Sequence, residues 1–133
     1  MPSRKKTSAR KASPRGTAPP PTPRALKQAA GRTLAEARRA MATPEYLFAL
    51  DRLPPAERAA GYAKLSEVHL AYLRWRAARL DEIRARLEAQ APALQAGIEA
   101  LQGALARLER VRPILKAVDR VLALVARILD LAK

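Results

Sequence analysis

Cysteine is missing from the 133 residues. That excludes disulfides, thiolate nucleophiles and cysteine-bound zinc or iron–sulfur centres. Histidine is nearly missing as well, His69 being the only one. One imidazole with no thiol and no second histidine cannot complete an ordinary zinc site. In the helical stretch SEVHLAY it reads as structural or solvent-facing. Ser66 stands three residues before it, a common helical spacing, and no oxyanion-hole loop accompanies the pair. The five glycines are scattered at 16, 31, 61, 97 and 103, so no glycine-rich phosphate loop exists. Asp81 and Glu82 are adjacent and point apart on a helix, so they form no acid–base pair. The expectation is a chain that is not an enzyme, with no catalytic residue, no metal ligand, no cofactor and no small-molecule substrate.

Acidic residues are absent from the first 32 positions, and long apolar runs are absent from the first 25. Given the second absence, no secretory leader is expected, since one needs an apolar stretch. Pro14 and Pro19 to Pro21 interrupt the amphipathic helix that an organellar transit peptide would need. Cytoplasmic residence is therefore expected, near the nucleoid if DNA is the partner.

What is present is positive charge. Lys and Arg number 26 against 12 Asp and Glu, a net +14. Such a balance points to nucleic acid, an anionic membrane face or an acidic protein. Residues 1–32 hold nine cations and no acid; the remainder holds 17 cations and 12 acids, a net +5. The stretch SRKKTSARKASPRGTAPPPTPR lacks core-forming residues and is expected to be a disordered, Pro-containing basic tail over 1–32. RKKTSARKASPRG resembles histone tails in composition. Arg4, Lys5, Lys6, Arg10, Lys11 and Arg15 are the candidate nucleic-acid contacts, acting on phosphates without reading sequence.

Beyond the tail, Ala, Leu, Arg and Glu favour helix, so residues 33–133 are expected to be all-α. Thr33 with Glu36 fits a capping box, and Thr43-Pro44-Glu45 is a second helix start. These place short helices within 33–53, ended by Pro54-Pro55. From 56 to 132 a single long helix is expected. Leu73, Leu80, Leu87, Leu94, Leu101, Leu108, Leu115, Leu122 and Leu129 recur every seven residues. That period marks a coiled-coil or elongated-bundle seam, here a candidate oligomer seam. The second seam position is less regular, drifting through Ile83, Ile98, Leu105, Val111, Val118 and Val125. Pro92 and Pro113 cut the helix into three 21-residue pieces of similar pattern, and kinks are expected there. Gly97 and Gly103 are the better places for a fold-back. YLRWRAAR, residues 72–79, mixes aromatics with arginines as nucleic-acid binders do. On a helix, Tyr72 and Leu73 are expected to face the core and Trp75 to cover an edge.

The last segment, PILKAVDRVLALVARILDLAK, carries too many charges to span a bilayer. Its apolar face, Ile114, Leu115, Val118, Val121, Leu122, Val125, Ile128 and Leu129, is broader than a two-helix seam needs. Proline-punctuated amphipathic pieces resemble the exchangeable apolipoproteins in pattern, with a slightly shorter period. Two functions follow as expectations. One is a self-associating helical interaction protein, a homo-oligomer whose basic tail holds an acidic polymer, DNA first. The other is an amphipathic-helix protein that coats a membrane or lipid-inclusion surface through residues 113–133.

Overall fold

A computed structural model describes residues 21–130, and all regular structure among them is helical. Six helices follow in order: α1 (Pro23–Ala40), α2 (Pro44–Asp51), α3 (Pro55–Ala77), α4 (Leu80–Ala89), α5 (Ala91–Ala104) and α6 (Val111–Leu129).

Local chemistry accounts for the starts. Thr22 caps α1, its Oγ1 accepting from the Ala25 amide at 3.1 Å, with Pro23 at the first helical position. Thr43 caps α2 in the same way, accepting from the Tyr46 amide at 3.3 Å ahead of Glu45 in the first turn. The tail boundary expected at residue 32 therefore falls inside α1. Charge divides the chain at 32, but apolar spacing does not: Leu26, Ala30, Thr33, Leu34 and Ala37 line one buried face from the first turn onward. Thr33 caps nothing. It lies mid-helix, fully buried, with its Oγ1 accepting from Gln102 Nε2 at 3.3 Å.

The single helix expected over 56–132 is four helices, α3 to α6. Ala78 and Arg79 adopt extended backbone and separate α3 from α4. Gln90 separates α4 from α5, and residues 105–110 form the connection between α5 and α6. Pro92 and Pro113 stand in the first turns of α5 and α6, where a missing N–H breaks no helical bond. The fold-back comes immediately after Gly103, and α5 and α6 pack on each other as a hairpin. Gly97 sits in that contact, where a Cβ would lie 3.4 Å from Leu124 Cδ1 and 3.5 Å from Val121 Cγ2.

Side-chain pairs give the directions of the rest. Lys27 meets Trp75 and Arg38 meets His69, so α1 and α3 are antiparallel. Glu57 pairs with Arg112 and Lys64 with Asp119, so α3 and α6 are parallel. Leu26 lies near Ala91 and Thr33 near Gln102, so α1 and α5 are parallel. The contacts α1–α3, α3–α6, α6–α5 and α5–α1 close a ring of four helices around one core. Helix α2 sits at the end where α3 and α6 begin. Helix α4 covers the other end, its Arg86 Nε donating to the Ile128 carbonyl at 2.6 Å.

This ring buries much of the apolar ridge within one chain. In α6 the buried side chains are Val111, Ile114, Val118, Val121, Leu124, Val125 and Ile128. Ile114, Val121 and Ile128 stand one residue ahead of the leucine column, and Leu115, Leu122 and Leu129 flank the core instead of filling it.

Candidate nucleic-acid interface

A concentration of positive charge lies where α1 and α3 meet. Trp75, the only tryptophan, is buried on the α3 face that also carries Gly61 and Val68, seven residues apart. Its Nε1 donates to the Lys27 carbonyl at 2.8 Å, and Lys27 Nζ donates back to the Trp75 carbonyl at 3.1 Å. This reciprocal pair fixes the start of α1 against the end of α3. Leu73, two residues away, points to the opposite side and is 45% exposed. The expected orientation is thus reversed: Trp75 is core, Leu73 is surface, and Tyr72 is half-buried.

Over Trp75 opens a groove of about 680 Å³. Arg24, Lys27 and Arg32 of α1 and Arg76 of α3 line it, together with Tyr72, and no acidic residue does. Gly31 contributes no side chain to the α1 wall; a Cβ there would stand 3.5 Å from Trp75 Cδ1. Arg24, Arg32 and Arg76 are exposed, and none has a carboxylate partner among the described residues. The contrast is with Lys64, Arg79 and Arg112, each of which holds an ion pair. Partial burial lowers the pKa of Lys27 from its ordinary value. An anion in the groove would favour its charged form.

Tyr72 is not a free stacking platform. The Arg38 guanidinium lies 4.9 Å and the Arg76 guanidinium 5.6 Å from its ring centroid. With Trp75 buried as well, the groove offers cations to oxygen anions more than aromatic faces to bases. Its lining can therefore contact anionic oxygens.

The candidate tail contacts, Arg4, Lys5, Lys6, Arg10, Lys11 and Arg15, lie outside the described residues. They precede α1 in the sequence, and the first turn of α1 carries Arg24 of the groove. The candidate seam residues fall in three groups. Leu87, Leu94 and Leu101 are fully buried in the chain's own core. Leu80, Leu108, Leu115, Leu122 and Leu129 are half-buried, and Leu73 is exposed. His69 Nδ1 lies 3.3 Å from Arg38 Nη1 on the surface. Among the described residues no three His, Asp or Glu side chains cluster as metal ligands would, and no helix is long and apolar enough to cross a membrane.

Sequence reasoning singled out Tyr72, Trp75, Arg74, Arg76 and Arg79 but assigned Arg24, Lys27 and Arg32 to the tail. The missed signal was Thr22-Pro23, which starts a helix ten residues before the charge boundary. Compared with protein families, curated proteins and solved structures, the chain matches none.

Proposed function

We propose that this chain is a non-enzymatic helical interaction protein that holds a polyanion, duplex DNA first, by phosphate contacts from its basic tail and from the α1–α3 groove. The observation that carries the reading is the groove itself: three arginines without carboxylate partners among the described residues and a partly buried lysine converge over Trp75, beside the start of α1. Unpaired surface arginines drawn to one concave site repel one another. An anion that bridges them removes the repulsion and gains charge-assisted bonds. The six tail cations extend the same field along the ligand, and such contacts are indifferent to base sequence.

Self-association belongs to this proposal, because two or more tails on one polymer bind more tightly than one. A coiled coil through the whole leucine column would require Leu87, Leu94 and Leu101 to leave the core, so association is assigned to another face. The lipid-surface reading has a similar difficulty. Peeling α6 from the bundle would expose seven buried apolar side chains, which costs on the order of 10 kcal/mol before any lipid is met. That is comparable with the whole stability of a typical domain.

The test is fluorescence anisotropy with short labelled duplexes of unrelated sequence, using the full chain and a chain that starts at Pro21. The truncation keeps the Thr22 cap, so α1 and the helices it packs on should still form, as checked by circular dichroism. Equal affinity for all duplexes, weakened at least tenfold by the truncation, is the expected result. Undiminished binding by the truncated chain would remove the tail from the mechanism, and no binding by either chain would end the reading.

A further inference from the structure

The outward face of α3 carries a second heptad pattern, independent of the leucine column. Ala56, Ala59, Ala63, Ser66, Leu70, Leu73 and Ala77 alternate by three and four residues, and every one is exposed. The stripe holds no charge on a chain of net +14. Leu70 and Leu73, each 45% exposed, are two of the four large exposed hydrophobics among the described residues, and Tyr62 beside the stripe is a third. Leu122 and Ala126 of α6 continue the apolar surface next to Leu70. A three–four alternation over 22 positions is the spacing that keeps one face of a helix against another helix.

We infer that this face receives a second copy of the chain, with the two α3 helices packed antiparallel about an axis near Val68. This deepens the self-association reading and does not depend on the nucleic-acid reading. Residue size selects the direction. The first half of the stripe is small (Ala56, Ala59, Ala63, Ser66) and the second half holds the two leucines. Antiparallel packing sets Leu70 against Ser66 of the second copy, Leu73 against Ala63, and Ala77 against Ala59. Each leucine thus meets a small residue at the two central levels, and only the Ala77–Ala59 pair is small on both sides. Parallel packing would put leucines on leucines and leave the alanine half underfilled.

Charge selects the same direction. Arg24, Arg32 and Arg76 gather at the end of α3, where the tail also joins. A parallel pair would place two such clusters side by side, whereas an antiparallel pair carries them to opposite ends. Glu67 lies near the axis and meets its own copy there; Lys64, 3.0 Å away and shared with Asp119 at 2.6 Å, offsets part of that repulsion. Two tails at opposite ends of a dimer would also let it bridge separate stretches of one polymer.

Analytical ultracentrifugation of the full chain without nucleic acid tests the interface. A monomer–dimer equilibrium in the micromolar range is expected. The exposed pair Leu70→Glu and Leu73→Glu should leave only monomer, with unchanged circular dichroism and at least a tenfold weaker association. A wild-type chain that stays monomeric to high micromolar concentration overturns the inference, and so does a dimer that survives the double change. The lack of native cysteine makes a single Ala60→Cys spin label unambiguous. Antiparallel packing separates the two labels by about 16 residues along the axis, or roughly 24 Å. A label distance under about 15 Å would mean parallel helices and would overturn the stated geometry.

Discussion

Leu94 and Leu73 belong to the same seven-residue column, yet the fold gives them opposite fates, and replacing each by alanine separates the two roles. Leu94 in α5 is fully buried among α1, α5 and α6. Truncating such a side chain loses its transfer energy and leaves a cavity, about 2–5 kcal/mol together. Leu73 already has nearly half its surface in water and stands away from the core. Alanine there keeps a good helix former and gives up about 1 kcal/mol or less. For a fold of about this size, each kcal/mol moves the melting temperature by about 4 °C. Leu94→Ala should therefore melt roughly 8–20 °C lower than the parent chain, and Leu73→Ala within about 4 °C of it. Thermal melts by far-UV circular dichroism, at concentrations low enough for monomer, measure both. A seam shared between chains would treat the two leucines alike and make both melts depend on concentration. Equal losses, or a larger loss at Leu73, would refute the assignment of the inner leucines to the chain's own core.

Two glycines in helices give a second contrast. A Cβ at Gly103 meets nothing within 4 Å, so Gly103→Ala should raise stability by about 1 kcal/mol in chemical denaturation. A Cβ at Gly61 would press into Leu50, itself fully buried, so Gly61→Ala should lose that gain and finish at least 1 kcal/mol below Gly103→Ala; equal effects would contradict the α2–α3 contact. Tyr46 is fully buried and its hydroxyl has no hydrogen-bond partner among the described residues, so Tyr46→Phe should be neutral or stabilising by up to about 1 kcal/mol, and a loss above about 2 kcal/mol would contradict its isolation. Burial also pushes the Tyr46 hydroxyl up to about 12 from 10.0. The folded state resists ionisation longer than the unfolded state, so stability is intact below pH 10 and falls between pH 10 and about 12. Tyr46→Phe should flatten that fall, as read by denaturation across alkaline pH.

Much of the fold was legible where the sequence carries explicit chemistry. Thr43-Pro44-Glu45 started a helix as expected, Pro54-Pro55 marks the boundary at which α3 begins, and the broad apolar face of the last helix is the face that contributes to the core. What could not be read were reversals built without turn residues. Ala78-Arg79 breaks the helix with extended backbone in a stretch where every residue favours helix, and 105–110 turns the chain with no glycine, proline or asparagine. Only tertiary contacts, such as Arg86 on the Ile128 carbonyl and the hairpin of α5 with α6, decide those points. The leucine column misled for a related reason. A strict repeat suggests one straight seam, but in α6 Ile114, Val121 and Ile128, one step earlier, are buried together with Val111, Val118 and Val125, while the column leucines flank the core. The candidate groove was half legible. Its α3 side appeared as YLRWRAAR, while its α1 side was hidden in a basic stretch whose helix start was outweighed by charge.

The most direct measurement of the central claim, that groove and tail form one phosphate-binding surface, is the salt dependence of duplex binding. Each phosphate contact contributes about −0.9 to the slope of log K against log salt. Replacing Arg24, Arg32 and Arg76 by glutamine should make the slope shallower by about 2.7, with the tail contribution, circular dichroism and melting temperature retained. A slope that stays the same in the triple variant would contradict the account, because the groove would then touch no phosphate.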